Sequence, residues 1–227
     1  MAELILALDL PDGASALRLL DGLPAVRWVK VGSILMTREG PDLVDRLNQR
    51  GLSVFLDLKW HDIPNTVAGA VRAAVGAGVR MVTVHTLGGV EMMEAAAAAA
   101  GAAVTVVGVT VLTSHSAASY AAATGSSPAG IGAEAVRLAG LAKRAGLGGV
   151  VASALEVELV REVMGPTAAV VVPGIRRVAD PSGDQARVAA PREAIAAGAS
   201  HLVIGRPVLM AADPAAAWQE FEEEALR

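Results

Sequence analysis

Residues 53–85 read SVFLDLKWHDIPNTVAGAVRAAVGAGVRMVTVH, and this stretch contains a complete strand–helix–strand unit. The apolar runs at its two ends, 53–59 and 81–85, predict buried strands. The segment 64–77 between them opens with a proline and is followed by a glycine, which are typical of the start and the end of a helix. Because two parallel strands require a crossover of this kind, the stretch predicts a parallel sheet.

The same unit repeats along the chain. The predicted strands lie near residues 4–10, 26–32, 53–59, 81–85, 104–112, 149–153, 168–174 and 201–205. The predicted helices lie near residues 14–22, 40–50, 64–77, 89–100, 132–145, 155–164, 191–198 and 213–226. The strands are nearly continuous apolar runs, which is typical of a parallel sheet buried on both faces. Eight such units with no second type of composition predict an α/β fold, a (β/α)₈ TIM barrel that forms a single domain over residues 1–227, with a doubly wound open sheet as the alternative.

The composition argues against several classes of protein. With 19 basic and 23 acidic residues the net charge is −4, which is unlike a nucleic-acid-binding protein. The absence of cysteine excludes disulfides, thiolate nucleophiles and cysteine-ligated metals. No uninterrupted apolar stretch has transmembrane length, and the chain opens without the positively charged region of a signal peptide. We therefore expect a cytoplasmic protein that binds neither membranes nor nucleic acid.

Charged residues lie where the second and third predicted strands end. In a (β/α)₈ barrel the active site forms at these C-terminal ends. Asp57 and Lys59 are two residues apart on one strand, so both side chains are expected to point to the same face, the barrel interior. Lys30 on the neighbouring strand can reach the same space, which predicts a cation–anion–cation array. Buried charges of this kind occur where function requires them, although a structural ion-pair network closing the barrel mouth is the alternative.

Glycine and arginine follow the seventh and eighth predicted strands. The pairs are Gly174 with Arg176 and Gly205 with Arg206. Barrels often bind phosphate with these two loops. Glycine lets backbone N–H groups approach an anion, and arginine offers a planar bidentate fork. The two loops together predict a site for a phosphorylated small molecule.

The histidines and the remaining loops carry weaker signals. His201 opens a strand at the opposite end of the barrel, which indicates a structural role. His85 fits a hydrogen-bonded wall residue as well as a catalytic one, and His115 is interpreted as a loop residue. No cluster of His, Asp and Glu has metal-ligand spacing, so we expect no metal. The long loop 176–190 is expected to be functional or mobile, and 124–132 to be a surface connection.

The run 55–66, FLDLKWHDIPNT, resembles the signature of the bacterial-type orotidine 5′-monophosphate decarboxylases. Position 60 is often Leu or Phe in that family and is Trp here, which changes packing rather than chemistry. The similarity continues through LALD at 6–9, KVG at 30–32, VH at 84–85, GG at 88–89, VLTS at 111–114, PGIR at 173–176, GDQ at 183–185 and VIGRP at 203–207. The resemblance implies a (β/α)₈ barrel that converts orotidine 5′-monophosphate to UMP, the last step of de novo pyrimidine nucleotide synthesis, with no metal or cofactor.

The resemblance also implies roles for the charged residues at the ends of the first three strands, of which Lys59, Asp57 and Lys30 belong to the implied catalytic set. Lys59 would protonate C6 of the pyrimidine after CO₂ leaves, and Asp57 would lie against the substrate carboxylate. Lys30 would hold Asp57 and a ribose hydroxyl, while Asp9 would bind the ribose.

Further residues are implied in substrate binding. Thr113 would contact the edge of the pyrimidine, and Gln185 would bridge the base and the phosphate. The amide of Gly205 and the side chain of Arg206 would hold the phosphate, with Arg176 supporting the same end. The loop 176–190 that contains Gln185 would then close over the nucleotide.

Two residues of the motif are implied at a subunit interface. Asp62, which also belongs to the implied catalytic set, and Thr66 would reach into the neighbouring subunit's site, so a homodimer is implied. Ile63 lies between them in the sequence and is assigned to substrate binding as well.

Two other functions remain as alternatives. The 3-keto-L-gulonate 6-phosphate decarboxylase and hexulose phosphate synthase group resembles this chain in fold but uses Mg²⁺, held in part by a Glu at the end of the second strand. Lys30 stands at that position here, and a cation there repels Mg²⁺. The second alternative is a nucleotide-binding module that has lost catalysis. Such a loss would be expected to show at Asp57, Lys59 or Asp62, and all three are present.

Overall fold

The computed structural model describes residues 2–125, 130–177 and 189–226. Eight parallel strands pair in chain order, and the eighth pairs with the first to close a barrel. The strands are β1 (Glu3–Ala7), β2 (Trp28–Gly32), β3 (Ser53–Trp60), β4 (Met81–His85), β5 (Thr105–Val109), β6 (Gly149–Val151), β7 (Ala169–Val172) and β8 (His201–Ile204). The predicted (β/α)₈ barrel is confirmed, and the open-sheet alternative is wrong.

Helices surround the barrel and occupy every position predicted for one. They are α1 (Gly13–Asp21), α2 (Ser33–Glu39), α3 (Pro41–Gln49), α4 (Pro64–Gly76), α5 (Gly89–Ala100), α6 (Ala117–Thr124), α7 (Ile131–Arg144), α8 (Val157–Met164), α9 (Pro191–Ala196), α10 (Arg206–Leu209) and α11 (Pro214–Leu226). Of these, α2, α6 and α10 were not predicted; they are short and follow β2, β5 and β8 at the C-terminal end of the barrel. Short 3₁₀ turns at Thr86–Gly88 and Ala154–Glu156 follow β4 and β6. Across the described ranges, no helix is long and apolar enough to cross a membrane.

Alternate residues of the strands face the inside and the outside of the barrel. The inward set forms an apolar cluster of Ile5, Ala7, Phe55, Met81, Val107, Val171 and Val203. The outward set packs against the helices in a second and larger cluster. Because both faces are buried, the strands are nearly continuous apolar runs, as a parallel barrel requires. Two residues beyond Phe55 and Met81 on their strands lie Asp57 and Thr83, which begin the polar layer above the apolar one.

Arg161 joins two loops at the N-terminal end of the barrel. Its Nε and Nη2 donate to the carbonyl of Gly198 at 3.0 and 2.6 Å. Its Nη1 donates to the carbonyls of Gly165 and Ala168 at 2.8 and 2.7 Å. Partial burial lowers the pKa of Arg161 from its ordinary value. One guanidinium therefore satisfies three carbonyls in the loops that precede β7 and β8, far from the polar layer.

Candidate active site

A cavity of about 440 Å³ opens at the C-terminal end of the barrel. This volume lies within the range of small-molecule sites, about 300–1,000 Å³. The predicted site residues that line it are Asp9, Lys30, Asp57, Lys59, Thr113, Arg176, Gly205 and Arg206. The structure thus brings residues from most of the strand ends to one cavity, as the barrel topology requires.

Asp57 lies between two lysines in this cavity. Lys59 Nζ is 2.9 Å from both carboxylate oxygens of Asp57. Lys30 Nζ is 3.6 Å from Asp57 Oδ2 and 2.9 Å from Asp9 Oδ1. The side chains of Lys30 and Asp57 are 11 % and 12 % exposed, whereas that of Lys59 is 39 % exposed. Lys59 is therefore the member of the cation–anion–cation array that is most open to the cavity.

The charges of this array keep Asp57 ionised. Burial alone would raise the pKa of Asp57, because a carboxylate loses hydration in the barrel. The ammonium groups of Lys30 and Lys59, together with hydrogen bonds from Lys59 and Thr83, outweigh that effect. The pKa of Asp57 consequently lies below its ordinary value, so the carboxylate is negatively charged at neutral pH.

The backbone of β3 is irregular at the array. Phe55 pairs with Met81 and Leu56 with Val82, but the next pair along β3 is Trp60 with Val84. Between these two pairs, the three residues 57–59 of β3 lie opposite the single residue Thr83 of β4. Within this bulge Lys59 adopts a left-handed conformation with φ of 51°. For a residue with a β-carbon this costs about 1–2 kcal/mol. Asp57 and Lys59 converge as predicted, but through this bulge rather than through the regular strand alternation on which the prediction relied.

Thr83 is part of the site and was missed by sequence reasoning. Its hydroxyl accepts the backbone N–H of Lys59 at 2.7 Å and donates to Asp57 Oδ1 at 3.0 Å. The residue is fully buried on β4. A sequence signal did exist, since Thr83 is the polar residue inside the apolar run MVTVH and lies on the inward face with Met81. That signal is weak because threonine is also a common strand residue.

The two arginines lie on the β7 and β8 side of the same cavity. Arg176 is buried. Its backbone N–H donates to the carbonyl of Ala189 at 3.0 Å, and its side-chain Nη1 donates to the carbonyl of Ile175 at 2.8 Å. Gly174 has φ of 78°, a conformation that favours glycine. Arg206 begins the short helix α10 directly after Gly205. The cavity therefore combines an anionic and cationic array on one side with guanidinium groups on the other.

Asp62 and Thr66, which are implied at a subunit interface, and Ile63 between them lie outside this cavity. Asp62, Ile63 and Thr66 are all exposed, and Ile63 has 66 % of its surface accessible. Asp62 Oδ1 accepts the N–H of Ile63 at 2.6 Å just before α4 begins. The fold of one chain does not bring these three residues to the array.

Two predictions fall on residues that are not described. Gln185, and the greater part of the loop 176–190 predicted to close over the nucleotide, lie outside the described residues. The surface connection predicted at 124–132 contains residues 126–129, which also lie outside them.

The histidines occupy the positions expected from the sequence. His85 ends β4 and stacks on His61 with ring centroids 5.7 Å apart. Burial, with smaller contributions from His61, Lys59 and His115, lowers the pKa of His85 to about 4. Its Nδ1 accepts the N–H of Leu87 at 3.3 Å, as a neutral wall residue can. His201 starts β8 at the opposite end of the barrel, where burial lowers its pKa to about 4.

Within residues 2–125, 130–177 and 189–226, no group of three or more His, Cys, Asp and Glu residues is placed to hold a metal ion.

The fold and the site define the class of protein: a (β/α)₈ barrel that holds a carboxylate between two ammonium groups, with two arginines across the cavity. Residues 2–221 match the model of the orotidine 5′-phosphate decarboxylase / HUMPS family. An orotidine 5′-phosphate decarboxylase from Halorhodospira halophila is 52 % identical over 220 residues, covering 95 % of this chain and 92 % of that protein. One from Alkalilimnicola ehrlichii is 51 % identical over 227 residues, covering 98 % and 96 %.

Solved structures agree with the sequence relatives. A crystal structure of orotidine 5′-phosphate decarboxylase from Lactobacillus acidophilus matches with a TM-score of 0.87 and 34 % identity, covering 100 % of both chains. The chain belongs to the orotidine 5′-phosphate decarboxylase / HUMPS family, and the resemblance inferred from its motifs is confirmed.

Proposed function

We propose that this protein decarboxylates orotidine 5′-monophosphate to UMP without metal or cofactor, with Lys59 as the proton donor to C6. The enzyme class agrees with the relatives described above. The observation that carries the proposal is the placement of Asp57 between Lys30 and Lys59 in the same cavity as Arg176 and Arg206. This arrangement offers a charged surface for a substrate carboxylate and a separate one for a phosphate.

Phosphate binding supplies the energy that holds the nucleotide. Arg206 and the amide of Gly205 bind the phosphate, and Arg176 supports the same end of the cavity. Charge-assisted hydrogen bonds from a guanidinium are among the stronger polar contacts in proteins. Because the phosphate is remote from C6, its binding energy can be used to press the reacting end of the substrate against the array.

The chemistry takes place beside Asp57. Its carboxylate lies against the carboxylate of the substrate, and two like charges about 4 Å apart repel by roughly 4 kcal/mol at an effective dielectric constant near 20. The bond between C6 and the carboxyl carbon breaks, CO₂ leaves, and the electron pair stays on C6. Lys59 stabilises this developing negative charge and then transfers one ammonium proton to C6, which completes UMP. Solvent returns a proton to the Lys59 amine.

The remaining site residues orient the nucleotide. Lys30 and Asp9, whose charged groups are 2.9 Å apart, bind the ribose hydroxyls. Lys30 also holds Asp57 in place. Thr113, on the wall formed after β5, contacts the edge of the pyrimidine, and Gln185 bridges the base and the phosphate.

The active protein is a homodimer in this proposal. Asp62, Ile63 and Thr66 are exposed and lie outside the cavity of their own chain, so they are available to a neighbouring subunit. In the dimer, Asp62 and Thr66 complete the site of the partner. The single domain over residues 1–227 and the cytoplasmic location remain predictions.

The Mg²⁺-dependent alternative is disfavoured by Lys30. Its ammonium nitrogen is 2.9 Å from Asp9 and 3.6 Å from Asp57, so a cation already lies beside both carboxylates. A second cation at that point would be repelled.

Absorbance spectroscopy tests the proposal. The purified protein is mixed with orotidine 5′-monophosphate in the presence of EDTA, and the loss of orotidylate absorbance is followed. We expect steady conversion to UMP. Activity on a sugar phosphate that requires added Mg²⁺, with none on orotidylate, would instead support the metal-dependent alternative. UMP binding without turnover would support a binding module.

A further inference from the structure

Thr83 contacts both the carboxylate and the backbone of the reacting pair, and no role has been assigned to it so far. We propose that Thr83 is a positioning residue, whose hydroxyl holds Asp57 and Lys59 in the relative orientation that decarboxylation requires. The inference rests on the proposed function, since the effect of Thr83 on turnover is measured through that reaction.

The chemistry of the groups fixes the direction of both hydrogen bonds. The backbone N–H of Lys59 can only donate, so Thr83 Oγ1 accepts it at 2.7 Å. The single hydroxyl proton of Thr83 is then left for Asp57 Oδ1 at 3.0 Å. An ionised carboxylate is a strong acceptor, and the pKa of Asp57 is lowered in part by this bond. The Thr83 hydroxyl therefore accepts a hydrogen bond from Lys59 and donates one to Asp57, which links the two residues.

The Thr83 hydroxyl also supports the irregular backbone of β3. In the bulge between the pairs Leu56–Val82 and Trp60–Val84, the N–H of Lys59 binds a side chain instead of a backbone carbonyl of β4. Lys59 has φ of 51°, and conformations of this kind persist where surrounding contacts hold them. The bond from Lys59 N–H to Thr83 is such a contact, and it originates on a fully buried strand residue.

Loss of the hydroxyl is expected to loosen the pair without affecting the phosphate end. Asp57 would keep its ammonium partners but lose the neutral donor that fixes the rotation of its carboxylate. Lys59 would lose the anchor of its backbone. Because Arg176 lies in the loop after β7 and Arg206 begins α10 after β8, away from Thr83 on β4, nucleotide binding should change little.

Thr83→Val tests the inference, because valine preserves the branched shape and removes only the hydroxyl. Loss of a hydrogen bond to a charged group corresponds to a decrease in kcat of about 10- to 100-fold. We expect that decrease in kcat, with KM and UMP affinity within about threefold of wild type. Thr83→Ser keeps the hydroxyl and should retain kcat within about threefold.

Thr110→Val is the matched control. Thr110 is also a fully buried threonine, but its hydroxyl donates to the carbonyl of Val151 at 2.9 Å and contacts neither Asp57 nor Lys59. The same substitution there should leave kcat within about threefold of wild type. A similar loss of kcat in Thr83→Val and Thr110→Val would show a general packing effect and overturn the inference.

A second pair of variants covers the case in which Thr83→Val folds poorly. Thr83→Ser and Thr83→Ala both remove the methyl group and differ only in the hydroxyl. A kcat of the serine variant at least tenfold above that of the alanine variant supports the inference, and equal values refute it. If wild-type protein itself fails to decarboxylate orotidylate, the proposed function is at fault. If the wild-type protein decarboxylates orotidylate and Thr83→Val has the same kcat, the positioning role of Thr83 is refuted while the proposed function stands.

Discussion

Replacement of Lys59 by alanine separates catalysis from binding and folding. The side chain of Lys59 is 39 % exposed, so its ion pair with Asp57 contributes only about 1 kcal/mol or less to stability after solvent screening. Alanine keeps a β-carbon, so the left-handed backbone is strained to the same degree as in wild type. Asp57 retains Lys30 at 3.6 Å as a partner. The free energy of unfolding should therefore change by about 1 kcal/mol or less.

The effect of Lys59→Ala on turnover should be far larger. Removal of a positioned general acid typically costs about 10²–10⁴-fold in rate, and the ammonium group also stabilises the developing charge on C6. We expect kcat to fall by at least about 10³-fold. UMP affinity should change by less than about tenfold, because the arginines that bind the phosphate remain.

Three measurements on Lys59→Ala distinguish a role of Lys59 in catalysis from a role in binding or stability. Orotidylate absorbance gives kcat, fluorescence or calorimetric titration gives UMP affinity, and denaturant unfolding gives stability. Lys143→Ala is the control, because Lys143 Nζ donates to the carbonyl of Val163 at 2.7 Å on the outer surface of the protein. If Lys59→Ala kept more than about a tenth of wild-type kcat, Lys59 could not be the proton donor. Equal losses of kcat and UMP affinity would make it a binding residue instead.

Other residues give further expectations. Arg206→Ala should weaken UMP binding by about 1.5–3 kcal/mol, measured by titration, and an unchanged affinity would place the phosphate elsewhere. Arg161→Met should lower the free energy of unfolding by about 2–4 kcal/mol because three carbonyls lose their donor, whereas kcat per folded molecule stays constant; Arg161→Lys should recover only part of the stability. His85 and His201 have pKa values of about 4 in the folded protein, below the ordinary 6.5, so only the unfolded chain takes up protons between these values. Stability should consequently fall as the pH drops from 6.5 to 4, by about 1–3 kcal/mol per histidine after screening, and unfolding of His201→Gln should depend less on pH in this range.

The repeating strand–helix pattern was sufficient to predict the barrel because it rests on burial. Inward and outward residues of each strand are both apolar, so each run is visible in one sequence without knowledge of its partners. The helices α2, α6 and α10 were missed since each is short and lies at the C-terminal end of the barrel. The α6 helix, for example, begins at a Ser116–Ser119 capping box that carries little hydrophobic pattern.

The site was predictable in composition but not in geometry. Asp57 and Lys59 were recognised as a converging pair, yet the bulge that sets their orientation depends on pairing between β3 and β4. Such a register shift, and the hydroxyl of Thr83 that supports it, involve residues about 25 positions apart in the chain. Asp62 and Thr66 were likewise found by motif alone, and the fold of one chain leaves them outside the cavity.

Release of CO₂ tests the proposed reaction most directly. Protein stripped of metal ions with EDTA is incubated with orotidine 5′-monophosphate labelled in its carboxyl group, and CO₂ and UMP are quantified together. We predict equal amounts of CO₂ and UMP, with a rate that added Mg²⁺ does not increase. Absence of labelled CO₂, or its release only after Mg²⁺ is restored, would contradict a metal-free decarboxylation at the Lys30–Asp57–Lys59 array.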